Sequence, residues 1–275
     1  MRIDSHQHFW NYDPVRDAWI TEEMQVIRKD FLPDDLKPLL AAHRLDGCIA
    51  VQADQSVKET AFLLGLAENN HFIKGVVGWI DLRASDLEEQ IGSYSSRSLL
   101  KGFRHIVQGE SDPDFMNQPE FLRGVRMLAR YGYTYDILIY QHQLPMAVAF
   151  VRNCPDQPFV VDHIAKPLIS KGVWEEWASG MRKIAAFPNV MCKVSGMVTE
   201  ADWHHWKPDD FRVYLEVVTE AFGPGRLMYG SDWPVCLVAA SYAKQFELVE
   251  KYFSSFSAEE RSAVFGMNAV RFYKL

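Results

Sequence analysis

No apolar run in the sequence approaches the roughly 18 residues that a membrane-crossing helix needs. A transmembrane helix is thereby excluded, and no membrane partner is expected. Cysteine is scarce: Cys48, Cys154, Cys192 and Cys236 are far apart and form no C-x-x-C pair. Three of them lie in apolar stretches, which reads as buried free thiols in a reducing, cytoplasmic protein. Positive charge is also short, with 29 Lys and Arg against 36 Asp and Glu and a formal charge of −7. No basic stripe offsets that balance, so no nucleic-acid partner is expected. Arg2 and Asp4 are followed by no apolar segment, so no export signal is expected. The partners left are small molecules or further copies of the chain in a homo-oligomer.

What is present is an ordinary globular composition, 48% apolar and 24% charged over 275 residues. That length buries a sizeable core and suits a single α/β barrel. Short, nearly all-apolar runs start near residue 3 and recur at 47–51, 75–80, 102–107, 135–140, 159–163, 190–194 and 227–230. Such runs are expected of parallel strands covered on both faces. Helical patterns at 35–43, 61–67, 121–131, 144–153, 173–187, 210–222 and 239–253 separate them. Ser56 to Glu59 and Asn117 to Glu120 read as capping boxes, and Gly132 and Gly223 sit where helices end on a left-handed residue. Eight strands interleaved with helices, without a linker, predict one (β/α)8 barrel of the TIM type over residues 1–275. A doubly wound open sheet is the alternative, but no Gly-rich phosphate fingerprint follows the first run. The stretch 10–31 is too long for a turn, and its Trp10, Tyr12 and Trp19 predict an excursion over one end of the barrel.

Chemistry in such a barrel gathers at the C-terminal ends of the strands. Asp4, His6 and His8 share one parity at the end of the first run, which places them on one face if the strand continues. The fourth run carries Arg104 and His105, of which only one enters the barrel. The fifth run ends with Tyr140 and His142, and the sixth with Asp162 and His163, followed by Lys166. The seventh runs through Lys193 to Ser195 and then Glu200, and Asp232 directly follows the eighth. Each item is weak alone. With nine histidines, chance supplies roughly 0.3 H-x-H pairs, and a lone Asp after a strand is more often a helix cap. The shared register carries the weight, with H-x-H, His and Asp at the ends of strands 1, 6 and 8. Two imidazoles on one strand face can ligate a divalent ion, and an Asp at the same mouth can take a proton from water. The fourth run has no lysine at its C-terminal end, since Lys101 precedes it, so the site is mononuclear at most.

With these motifs the sequence resembles the amidohydrolase superfamily, and within it the amidohydrolase-2 group of lactone hydrolases. The resemblance is carried by DSHQHFW (4–10), GFRHIVQ (102–108), YDILIYQHQLP (135–145), VVDHIAKP (160–167), KVSGMVTEA (193–201) and YGSDWPV (229–235). Their order and span fit the sugar-lactonase branch that holds the L-fuconolactonases and L-rhamnonolactonases. The resemblance implies His6, His8, Glu200 and Asp232 as ligands of one divalent cation, zinc first. It implies catalytic roles for Asp232, His163 and Arg104. The wider superfamily usually ends its fifth strand in a metal-binding His, where this chain has Tyr140-Gln141-His142. The group includes enzymes that work without a metal, so the resemblance allows one divalent cation without requiring it.

The implied reaction is hydrolysis of a sugar lactone to its aldonic acid, with Asp232 as base and Arg104 and His163 stabilising the oxyanion. Trp10, Trp19, Tyr140, His142 and Lys166 are the expected substrate-binding residues. A 2-pyrone-4,6-dicarboxylate lactone is a second reading, but such a substrate calls for several convergent cations. A metal-dependent decarboxylase of the same superfamily is a third.

Overall fold

The computed structural model describes residues 1–275. Eight parallel strands pair in chain order: β1 (Ile3–Gln7), β2 (Gly47–Val51), β3 (Ile73–Gly78), β4 (Leu100–His105), β5 (Thr134–Ile137), β6 (Phe159–Val161), β7 (Val190–Val194) and β8 (Leu227–Tyr229). The sheet closes just past its ends, where Gln7 bridges Trp233 in parallel and Asp232 N donates to His6 O at 2.8 Å. The result is the (β/α)8 barrel that the alternation of runs predicts.

Helices α1 (Pro33–Ala42), α2 (Val57–Asn69), α3 (Leu87–Ser93), α4 (Pro119–Arg130), α5 (Leu144–Asn153), α6 (Glu175–Ala185), α7 (Arg212–Phe222) and α8 (Tyr242–Tyr252) form the outer layer. Their apolar stripes meet the outward faces of the strands in one large core. Inside the barrel Ile3, Ile49, Val51, Val77, Val160 and Met228 make a second, small cluster. Ala269 and Tyr273 close that cluster from α10 (Asn268–Tyr273), which follows α9 (Ala258–Ser262) and a wide turn.

Three expectations are corrected. The patterns do not announce α3, α9 or α10, short elements whose packing rather than periodicity fixes them. Asn117 does not cap α4: the helix starts at Pro119, and the Asn117 amide donates to Asp114 and to Met146 O instead. Ser56 does cap α2, accepting from Glu59 N at 3.1 Å, but the Glu59 carboxylate turns to Ala53 N rather than closing the box. Gly132 and Gly223 both have positive φ, as the helix ends require. The excursion forms as expected: Trp10 and Phe31 bridge antiparallel, and a 3-10 turn at Glu22–Ile27 packs on the loop that follows β8.

Candidate active site

β1 contains an irregularity between Asp4 and Gln7 that breaks the alternation of its side chains. Ile3 joins the interior cluster, and His6 and His8 also point inward. Asp4 does not share their face, which corrects the parity reading. It accepts from Ser231 N at 2.8 Å and from the Tyr242 hydroxyl at 3.0 Å, tying β1 to the end of β8 and to α8. Burial raises its carboxyl to about 6.

His6 and His8 bring their Nε2 atoms within 3.2 Å of each other. Asp232 Oδ1 lies 3.4 Å from His8 Nε2, 3.9 Å from His6 Nε2 and 3.8 Å from His163 Nε2. His8 Nδ1 lies 2.8 Å from the Val51 carbonyl, which can only accept, so Nδ1 holds the proton and Nε2 presents a lone pair to the mouth. A lone pair, a second imidazole nitrogen and a carboxylate this close repel unless a proton or cation lies among them. Tetrahedral zinc ligands with bonds of 2.0–2.1 Å stand about 3.3 Å apart. The chemistry and spacing of His6, His8 and Asp232 therefore fit one divalent ion.

Arg104, not His105, enters the barrel. Its Nη1 donates to Asp162 Oδ2 at 3.0 Å and lies 3.2 Å from His6 Nε2, while Nη2 donates to the Gln52 carbonyl. His105 turns outward, stacked on Phe115 and 2.7 Å from Glu110. Beneath His6, Lys193 Nζ lies 3.0 Å from His6 Nδ1 and 3.0 Å from Asp162 Oδ1, and it also pairs with Asp136. All of these groups are buried, and Tyr273 donates to Asp136 from below at 2.9 Å.

β6 ends at Val161, earlier than its apolar run predicts, and the chain then turns left-handed. His163, Ile164, Ala165 and Lys166 take φ of 53°, 47°, 59° and 46°. Left-handed backbone costs an L-residue roughly 1–2 kcal/mol. The turn abandons strand alternation, so adjacent Asp162 and His163 both face the interior. His163 Nδ1 lies 2.9 Å from Ser195 Oγ, and a Cβ on Gly196 would stand 2.5 Å from that same nitrogen. Lys166 reaches Glu200 at 3.7 Å and lies over the Tyr140 ring at 5.6 Å.

Burial holds His6 and His163 well below the usual imidazole range, so both are neutral at pH 7. Burial also opposes charge on Asp232, but His163 and His8 beside it hold its carboxyl below the ordinary value. It is ionised at neutral pH. Glu200 is raised by burial, against the pull of Lys166.

A cavity of about 340 Å³ opens at this end of the barrel. His8, Trp10, Trp19, Arg104, His163, Lys166 and Asp232 line it, which brings together most of the expected site. His6 lies just beneath. Trp10 is buried, with its indole donating to Lys29 O, whereas Trp19 is 44% exposed at the rim. Tyr140 and His142 are not in the wall. They stack on each other outside it, and His142 borders a separate groove between α5 and α6. Glu200 is turned to Lys166 and stands apart from the two groups of converging donors. Asp162 and Lys193 stand at strand ends in the sequence without a role assigned to them, and Asp136 is not singled out at all. The available signal was a lone charge in each apolar run, YDI and CKV, because a buried charge demands a partner.

Comparison with known proteins supplies independent findings. A family model described as amidohydrolase matches residues 3–275. An L-fucono-1,5-lactonase of Burkholderia multivorans is 45% identical over 286 residues, covering 100% of this chain and 96% of that protein. Its counterpart in Burkholderia ambifaria is 36% identical with the same coverage. The crystal structure of an amidohydrolase from Burkholderia multivorans with bound zinc superposes with a TM-score of 0.97 at 44% identity, covering 100% and 99% of the two chains. Barrels assigned to 2-pyrone-4,6-dicarboxylic acid hydrolysis and to 5-carboxyvanillate decarboxylation are 15% and 13% identical, and share the fold alone.

Proposed function

Because this chain belongs to the amidohydrolase family, we propose that it hydrolyses L-fucono-1,5-lactone to the open-chain aldonic acid. It is a lactone hydrolase acting on a small-molecule sugar lactone. Asp232 carries the reading: an ionised carboxylate at the mouth, flanked by three imidazoles and facing the cavity that Arg104 also lines.

Asp232 takes a proton from water as its oxygen attacks the lactone carbonyl. The developing oxyanion is met by the Arg104 guanidinium and by His163. Ser195 donates to His163 Nδ1 in this scheme, leaving the proton on Nε2 and aimed at the mouth. The ring C–O bond then breaks, and Asp232 returns its proton to the leaving ring oxygen. Trp10 and Trp19 pack on the apolar face of the sugar, while Lys166 meets its hydroxyls. Tyr140 and His142 act at one remove, through the Tyr140 ring under Lys166. His6, His8 and Asp232 would hold a divalent ion, zinc by donor type, with Glu200 joining by exchange from Lys166. When bound, such an ion supplies polarisation of the lactone carbonyl.

A dicarboxylate substrate fits less well, since the wall offers two cationic side chains, Arg104 and Lys166, and Lys166 is already paired with Glu200. The four cysteines are free and buried, and no helix is long and apolar enough to cross a membrane. Free, buried thiols fit a cytoplasmic protein, and the likeness to L-fucono-1,5-lactonases supports a role in carbohydrate metabolism, with residues 1–275 as one catalytic domain.

The test is a pH-indicator assay over a panel of aldonolactones, with and without a chelator. Turnover of L-fucono-1,5-lactone is expected, and retained activity after chelation assigns the electrophile to Arg104 and His163. No turnover of any lactone overturns the reading.

A further inference from the structure

The turn from His163 to Lys166 is the most unusual backbone in the molecule, with four successive non-glycine residues at positive φ. L-residues visit this region singly, and a run of four persists only where the surroundings over-determine it. Lys166 N closes the turn onto His163 O at 2.8 Å. Ser195 and Gly196 act on the His163 ring itself. A further contact acts on the carbonyl in the middle of the turn. The indole Nε1 of Trp177, on α6 in the outer layer, donates to the Ile164 carbonyl at 2.7 Å. Trp177 is 1% exposed and is no part of the cavity wall.

We propose that Trp177 is a positioning residue: its indole pins the Ile164 carbonyl and holds the turn left-handed, so that His163 and Lys166 face the same cavity. Without that donor the Ile164 carbonyl is buried unpaired, and the turn gains by relaxing toward extended or right-handed backbone. Relaxation carries His163 away from Asp232 and Lys166 away from Glu200. The kinetic half of the test rests on the lactonase reading, while the exchange half does not.

Five variants test the inference: Trp177→Phe, Trp206→Phe, Ala165→Gly, and Ala165→Gly combined with each tryptophan variant. Trp206 is a matched control, buried, with its indole donating to Ala239 O at 3.0 Å. Trp177→Phe is expected to lower kcat/KM at least tenfold, and Trp206→Phe less than twofold at a similar drop in Tm. Ala165 stands at φ 59°, which glycine adopts without steric cost. Ala165→Gly is therefore expected to restore much of the loss in the Trp177→Phe background and to do nothing for Trp206→Phe. Hydrogen exchange read by mass spectrometry over residues 162–167 should speed at least tenfold in Trp177→Phe alone among the two tryptophan variants. The inference is overturned if exchange in this segment is unchanged, if both tryptophan variants lose activity equally, or if Ala165→Gly helps both alike. If the wild type opens no lactone, the functional reading fails, and the exchange result still decides the role of Trp177.

Discussion

Asp232 is held among three imidazoles that outweigh the burial penalty on its charge, so it stands ionised at the mouth as a base. Asp232→Asn keeps the shape and removes the charge. We expect lactone turnover to fall by about 10²–10⁴-fold, with Tm somewhat lowered because the fold favours the charged carboxylate that the variant lacks. Near-normal kcat in the variant would sink the assignment. Of the neighbouring side chains, His6, His8, His163 and Arg104 were legible as candidates because each ends an apolar run. Asp4 was misplaced because one irregularity in β1 reverses its face. Asp162 was given no role because alternation puts it opposite His163, and only the left-handed turn brings both inward.

Among the elements, the start of α2 couples the excursion at residues 10–31 to the barrel. Glu59 accepts from Ala53 N, and burial, opposed by that bond and by Arg16, raises its carboxyl from 4.5 to about 7. The unfolded chain releases this proton near 4.5, whereas the folded chain keeps it until about 7. The folded state is thus favoured below 4.5, and that contribution is lost as pH rises toward 7. Glu59→Gln should therefore flatten the decline in unfolding free energy between those pH values, by roughly 3 kcal/mol across the window. Denaturant melts at several pH values read the slope, and parallel curves for the two proteins would refute the account. The helices α1, α2 and α4 to α8 were legible from period, whereas α3 and the closing pair α9 and α10 carry too few turns for a periodic signal.

For the whole molecule, the last helix reaches the floor of the active site. Tyr273 donates to Asp136, Asp136 pairs with Lys193, and Lys193 lies beside both His6 and Asp162. Tyr273→Phe removes only the hydroxyl and leaves a buried carboxylate short of a donor. We expect a loss of about 1–3 kcal/mol in stability, read as a lower denaturant midpoint at constant slope. An unchanged midpoint would show that the C-terminal helix does not lock the barrel. By itself the sequence determined the barrel, because apolar runs and helical periods alternate along the chain and each records only its local burial. It also determined which strand ends bear chemistry, because ionisable groups are conspicuous beside apolar runs. Only the tertiary structure decided which of those groups meet. A bulge, a left-handed turn and a helix 137 residues beyond Asp136 set the directions of side chains, and these are outcomes of packing between distant segments that no local pattern encodes.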